Sequence, residues 1–204
     1  VRSPGISNSD NHNIRFSNNG KMVVSPYTFA PSTYSSSFIY LYDFDNSTGV
    51  LSNVIKLDTI TNPPFVNGIL EPNALGLEFS PDGTKLYVTY NNKHPFLCQF
   101  NLCAGSPNAI AASKTIISYD TLNSGGLFYP IQLGINGKIY VNNNDTLYAS
   151  SIGVINNPNG LGAMCNYQPK GQPLGPSTLN PYVAGIGWGL PNFESNFFEQ
   201  KPVL

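Results

Sequence analysis

Charge is what this sequence has least of. Lys, Arg, Asp and Glu together make up 10% of its 204 residues, against roughly 25% in an ordinary globular chain. A formal net charge of −1 gives no electrostatic footprint for nucleic acid, and no such partner is expected. Apolar runs of the ~20 residues needed to span a bilayer are missing, and so is the pattern of a signal peptide. An exported protein would therefore be met here after processing or as an excised piece. Helical signals are nearly missing too, the one candidate being the short "PNAIAASK" (107–114). Two histidines, His12 and His94, and three cysteines make neither a zinc set nor a disulfide framework. No cofactor and no metal are expected.

What is abundant is Asn, Ser, Gly, Pro and Tyr, the composition of short strands joined by tight turns. The clearest case is "LEFSPDGTKLYVT" (77–89), two apolar strands around Pro-Asp-Gly. The same rule recurs in "IRFSNNGKMVVS" from Ile14 and "IQLGINGKIYVNN" from Ile131, aligned on Gly20, Gly83 and Gly137. In each, an apolar–polar–apolar triplet leads through a small residue to Asn-Gly or Asp-Gly, whose positive φ suits a hairpin. The middle copy reads as having one extra turn residue, Thr84. Self-similarity at a long, loose period marks a repeat architecture, in which each unit buries its apolar face on a neighbour.

Each hairpin is followed by a second pair of strand candidates: 38–57 after the first, 96–117 after the second, and a shortened 146–158 after the third. Leu41-Tyr42-Asp43-Phe44-Asp45 aligns with Leu97-Cys98-Gln99-Phe100-Asn101. The unit is thus four antiparallel strands in about 50–60 residues, the size of a β-propeller blade. The expected fold is all-β: one partial propeller domain spanning 1–204, with units at 14–60, 77–120 and 131–166 and a closing segment at 167–204. Propellers close with about four to eight blades, so an incomplete ring of three to four is expected.

Candidate functional residues are few. Arg15, Glu78 and Gln132 are the polar positions inside the three hairpins; if the first strands surround the axis, these residues line it, as ligand-binding groups or as a solvated lining. "YDFDNSTG" (42–49) offers Asp43, Asp45 and Ser47 with the spacing of calcium-loop ligands, but Gly49 falls one place late and no Glu closes the loop. An Asx-type turn explains the stretch as well. "GIGWGLP" (185–191) has Leu190 where a dinucleotide fingerprint needs its third glycine, and Pro191 blocks the helix start; Trp188 reads as packing. Glu71 and Glu78 can be imagined as a glycosidase carboxylate pair, but nothing in sequence fixes their separation, and no G-x-S-x-G elbow exists. Cys98, flanked on its own side of a strand by Phe96 and Phe100, reads as a buried thiol. Cys103 and Cys165, in turn-like settings, are candidates to pair in an oxidising compartment.

The series "FSPDGTKLYVT", "LYDFDNSTGVLSN", "QLGINGKIYV", "GVINNPNGLGAMCNYQPKGQPLG" and "GLPNFESNFF" resembles the secreted β-propeller-like domain of gliding-motility-associated bacterial proteins. These are surface or secreted substrates of type IX secretion, often carrying PKD modules. The likeness runs from Ile14 to Phe198 and corresponds to the C-terminal half of that domain, without the earlier blades or the sorting module. It implies a secreted or cell-surface location. Within it, "DTI" (58–60), "DTL" (120–122) and "DTL" (145–147) resemble the O-glycosylation acceptor of the same bacterial group, which makes Thr59, Thr121 and Thr146 candidate glycan carriers. For Thr59 this requires the strand carrying Ile55 and Leu57 to end or break register near Asp58.

The function expected from these readings is non-catalytic: loops displayed on a rigid scaffold for adhesion or for binding an extracellular glycan or protein. Other domains of the parent chain, or further copies, would cover the open blade edges. Two alternatives stand beside it: a subunit of an extracellular filament, and a lactonase- or lyase-like propeller enzyme with an axial pocket.

Overall fold

The computed structural model describes residues 14–29, 36–61, 73–91, 95–119, 127–144 and 151–173. They form three four-stranded antiparallel sheets, each built from consecutive strands. The first holds β1 (Arg15–Phe16), β2 (Met22–Phe29), β3 (Ser36–Asp45) and β4 (Val50–Thr61). The second holds β5 (Asn73–Phe79), β6 (Lys85–Asn91), β7 (Phe96–Asn101) and β8 (Thr115–Tyr119). The third holds β9 (Leu127–Leu133), β10 (Ile139–Asn144), β11 (Ser151–Ile155) and β12 (Tyr167–Pro173). The chain is therefore a partial β-propeller, as expected. The last strand of the third sheet falls in the stretch read from sequence as the start of the closing segment.

The repeated turns explain the strands. Gly20, Gly83 and Gly137 all take positive φ, from +65° to +74°. In the first two hairpins a serine organises the turn: the N–H of Ser17 donates to Met22 O and that of Ser80 to Lys85 O, both at 2.9 Å. Each serine hydroxyl accepts back from the same partner, Met22 N or Lys85 N, again at 2.9 Å. In the third hairpin Gly134 N donates to Lys138 O, one residue sooner. The odd member is thus the short third turn, and Thr84 of the second has its counterpart in Lys21 of the first. Matching Lys85 to Lys21 and Lys138 after the aligned glycines hid this, because the backbone pairing, not residue type, sets loop length.

Two cores lie between successive sheets. Val24, Ile39, Leu41 and Leu57 of the first sheet pack on Leu77, Phe79, Val88, Cys98 and Phe100 of the second. Tyr87 and Leu97, on the second sheet's other face, pack on Ile131, Leu133, Ile139 and Val141 of the third. The first strands are neighbours, β1 beside β5 and β5 beside β9, so the sheets radiate from a shared axis. The hairpin tips meet at one end of it, where Asn18 Nδ2 donates to Pro81 O at 3.2 Å.

The weak helical candidate is realised as α1 (Pro107–Ala112) between β7 and β8, capped by Ser106 Oγ accepting from Ala109 N at 3.2 Å. Ile110 fixes it to the first core. No helix of the described residues is long and apolar enough to cross a membrane.

Candidate functional site

The site begins with how closely the first strands approach. Gly76 of β5 lies against β9, and a Cβ there would sit 2.8 Å from Ile131 N and 2.6 Å from Thr89 Oγ1. Only a residue without a side chain permits this contact. It sets β5 and β9 near enough for their polar side chains to bridge.

Arg15 and Glu78 meet there. Arg15 Nε donates to Leu77 O at 3.2 Å and Nη2 to Ile131 O at 3.5 Å, so one guanidinium touches the first strands of both following sheets. Nη2 also stands 3.6 Å from Glu78 Oε2. That oxygen accepts from Leu133 N at 2.9 Å, and Oε1 accepts from Phe79 N at 3.1 Å. Glu78 is buried, 6% exposed. Burial pushes its carboxyl above the ordinary glutamate value, although the Arg15 charge and the two N–H donors oppose the shift. Desolvation wins because the guanidinium is half-exposed and not in close ion-pair contact.

Gln132, the third of the series, lies on the side of β9 opposite Ile131 and Leu133, which face the second sheet. It is 9% exposed, and its amide has no hydrogen-bond partner among the described residues. The expected lining of the axis is therefore resolved into two parts. Arg15 and Glu78 are brought together and tied to the neighbouring sheet's backbone, not left standing free in a channel; Gln132 takes the other side of β9.

The thiols depart from expectation. Cys98, Cys103 and Cys165 are all free, so Cys103 and Cys165 are not paired. Cys103 is exposed just after β7, whereas Cys165 is buried in the second core beside Tyr87. Cys98 is buried in the first core, as read from its strand, and burial raises both buried thiols above the usual range.

The acidic stretch 43–49 is a turn. Asp45 accepts from Ser47 N, Ser47 Oγ and Thr48 Oγ1 at 2.9, 2.6 and 2.8 Å, which lowers its carboxyl to about 2. Asp43 accepts from Asn53 Nδ2 at 2.7 Å. Among the described residues no group of three His, Cys, Asp or Glu could hold a metal. Thr59 is exposed on β4, and the register breaks beside Asp58, since Ile39 faces Asp58 while Tyr40 faces Lys56. His12, Glu71, His94, Thr121, Thr146 and Trp188 lie outside the described residues.

Sequence reasoning missed two buried polar clusters. Asp58 Oδ2 accepts from Tyr90 OH and from Lys114 Nζ, both at 2.6 Å, and Lys114 Nζ lies over the rings of Tyr90 and Phe96. This latches the first sheet to the second. Gln99 donates to Tyr87 OH and Gly160 O at 2.7 and 2.8 Å and accepts from Gly162 N at 2.8 Å. It thereby holds the "NNPNG" loop (156–160) onto the second sheet. No motif announced either cluster, because their members come from different blades.

No family model and no curated protein matches the chain. Among solved structures, one assigned as a dipeptidyl aminopeptidase IV from Bacteroides ovatus aligns with 75% of this chain and 23% of its own, at 13% identity and a TM-score of 0.41. A periplasmic gluconolactonase from Pseudomonas aeruginosa aligns with 72% of this chain and 39% of its own, at 11% identity and a TM-score of 0.43. One assigned as a 6-phosphogluconolactonase from Bacteroides fragilis shares 14% identity over 79% of this chain and 71% of its own, with a TM-score of 0.27. The chain thus spans about a quarter and two fifths of the first two. All three are described as enzymes and none as an adhesion or filament protein. The expectation of a non-catalytic display module is corrected on that finding.

Proposed function

We propose that the chain supplies blades to a propeller enzyme that opens lactones at its axis, the class to which the gluconolactonase belongs by name. One observation carries the reading: a buried carboxyl with raised proton affinity, Glu78, beside the Arg15 guanidinium where the first strands converge. Perturbed titratable groups of this kind concentrate at functional sites. Glu78 takes a proton from water as the water oxygen bonds to the lactone carbonyl carbon. Arg15 stabilises the oxyanion, and the ring C–O bond then breaks, its alkoxide leaving with the proton returned by Glu78. Hydrolysis of δ-gluconolactone and an aromatic lactone by the purified chain, followed by acid release, tests this. Turnover that falls by about a hundredfold or more in Glu78→Gln, with unchanged circular dichroism, supports it. No turnover by the wild type, or full turnover by the variant, removes it.

We also infer that the parent protein is exported, as the resemblance to gliding-motility-associated proteins implies, with Thr59 as a glycan carrier. The exposure of Thr59 at a register break supports this, since a bulky hydrated glycan needs a solvent-facing threonine. Peptide mapping of protein from its native host is the check, and an unmodified Thr59 peptide there rejects the glycan.

A further inference from the structure

Arg15 has donors to spare where the first strands converge. A guanidinium carries five N–H groups, and one edge of this one is committed to protein, Nε to Leu77 O at 3.2 Å and Nη2 to Ile131 O at 3.5 Å. The end of the fork, formed by Nη1 and the second hydrogen of Nη2, makes no hydrogen bond among the described residues. The Glu78 carboxyl does not fill it. At 3.6 Å from Nη2 it lies beyond hydrogen-bond range, and its two oxygens already accept from Leu133 N and Phe79 N. No other carboxylate among the described residues stands within ion-pair distance of Arg15. The Arg15 side chain is 29% exposed against 8% for Glu78, so of the two it is the guanidinium that water reaches.

These features describe a receptor for a small anion. The cation is fixed by backbone carbonyls of two sheets, so little side-chain freedom is left to lose on binding. The planar end of the fork matches the two oxygens of a carboxylate in parallel hydrogen bonds. One positive charge beside an acid favours a monoanion over the double charge of a phosphate. Hydrolysis fits the same place: the carbonyl carbon of an opened lactone becomes the carboxylate carbon of the product. We infer that the open end of Arg15 binds the carboxylate of a small hydroxy acid, the acid that lactone opening releases. The choice of acid rests on the lactonase reading, whereas the carboxylate site itself rests on Arg15 and its surroundings.

Titration of the purified chain with sodium D-gluconate at constant ionic strength, followed by calorimetry and by the Arg15 Nε–H resonance, tests it. Saturable binding with a Kd of about 1 mM and a shift of that resonance are expected. D-Glucose, similar in size but uncharged, is expected to do neither, and inorganic phosphate to bind more weakly than gluconate. Arg15→Gln is expected to weaken gluconate binding about tenfold to a hundredfold, the worth of a charge-assisted hydrogen bond. Arg15→Lys recovers only part of the loss, because an ammonium has no fork. The wild-type resonance decides the matter if the variants fail to fold. No saturation by gluconate up to about 100 mM, equal binding of glucose, tighter binding of phosphate, or undiminished binding by a folded Arg15→Gln overturns the site. Gluconate binding without lactone turnover supports the site and removes the lactonase reading; turnover without gluconate binding does the reverse.

Discussion

Glu78 and Gly76 show how much of this molecule rests on single atoms. A raised folded-state value means that the native state holds the Glu78 proton more tightly than the unfolded chain does. The stability it contributes is fully present below the ordinary glutamate range and is lost as pH rises through the folded value. Carboxylates such as Asp45, held low by its turn donors, act in the opposite sense and lose their contribution as pH falls. The clean readout is therefore a difference. Urea unfolding of wild type and Glu78→Gln between pH 4 and 8 is expected to show wild type losing ground to the variant as pH rises. A constant gap would deny the shift. At Gly76, an alanine must push β9 away through Ile131 N, 2.8 Å from its Cβ, where a flexible side chain cannot yield. Gly76→Ala is expected to cost about 1–3 kcal/mol, measured by the same unfolding, and to weaken any activity at the axis with it.

At the scale of elements, hydrogen bonds that join one blade to another matter more than the turns that shape each blade. The Asp82 carboxylate accepts from Ser80 Oγ, Thr84 N and Thr84 Oγ1 at 2.6, 2.9 and 2.8 Å, all within its own exposed turn, so its loss leaves no donor cut off from water. Asp58 is different. Its carboxylate satisfies Tyr90 OH across the interface, and Tyr90 is fully buried. Asp58→Ala leaves that hydroxyl with only the weakly accepting Cys98 sulfur beside it and is expected to cost about 1–3 kcal/mol, against a smaller loss for Lys114→Met, which keeps the tyrosine's carboxylate acceptor. Equal losses for the two variants would assign the junction to the ion pair alone. The helix α1 belongs to this junction as well. Six residues are too few to stand alone in water, and it persists because Ile110 is packed into the first core.

Across the whole molecule the two cores are separate reporters. Cys98 lies in the first and Cys165 in the second, while Cys103 faces solvent. A thiol reagent is expected to label Cys103 at once and the other two only as their interface opens. Stacked repeats are held by nearest-neighbour contacts, so the two slow rates measure the two interfaces one by one. Fast labelling of Cys98 or Cys165 in the native protein would contradict the packing described.

Much of this was written in local sequence. The apolar–polar–apolar triplets before Gly20, Gly83 and Gly137 determine strand, turn and the face each side chain takes, because hairpin pairing depends on residues a few positions apart. They also single out Arg15, Glu78 and Gln132 as equivalent positions. What those positions do was decided only in three dimensions. Whether a polar side chain meets a guanidinium or a backbone amide depends on the neighbouring sheet, reached through packing across 55 to 62 residues of chain. Similar chain separations lie between Asp58 and Lys114, between Gln99 and Gly160, and between Cys103 and Cys165, whose pairing sequence context allowed and which the fold leaves free, one exposed and one buried. Local pattern determined the blade, and the contact between blades determined which partners Arg15 and Glu78 meet.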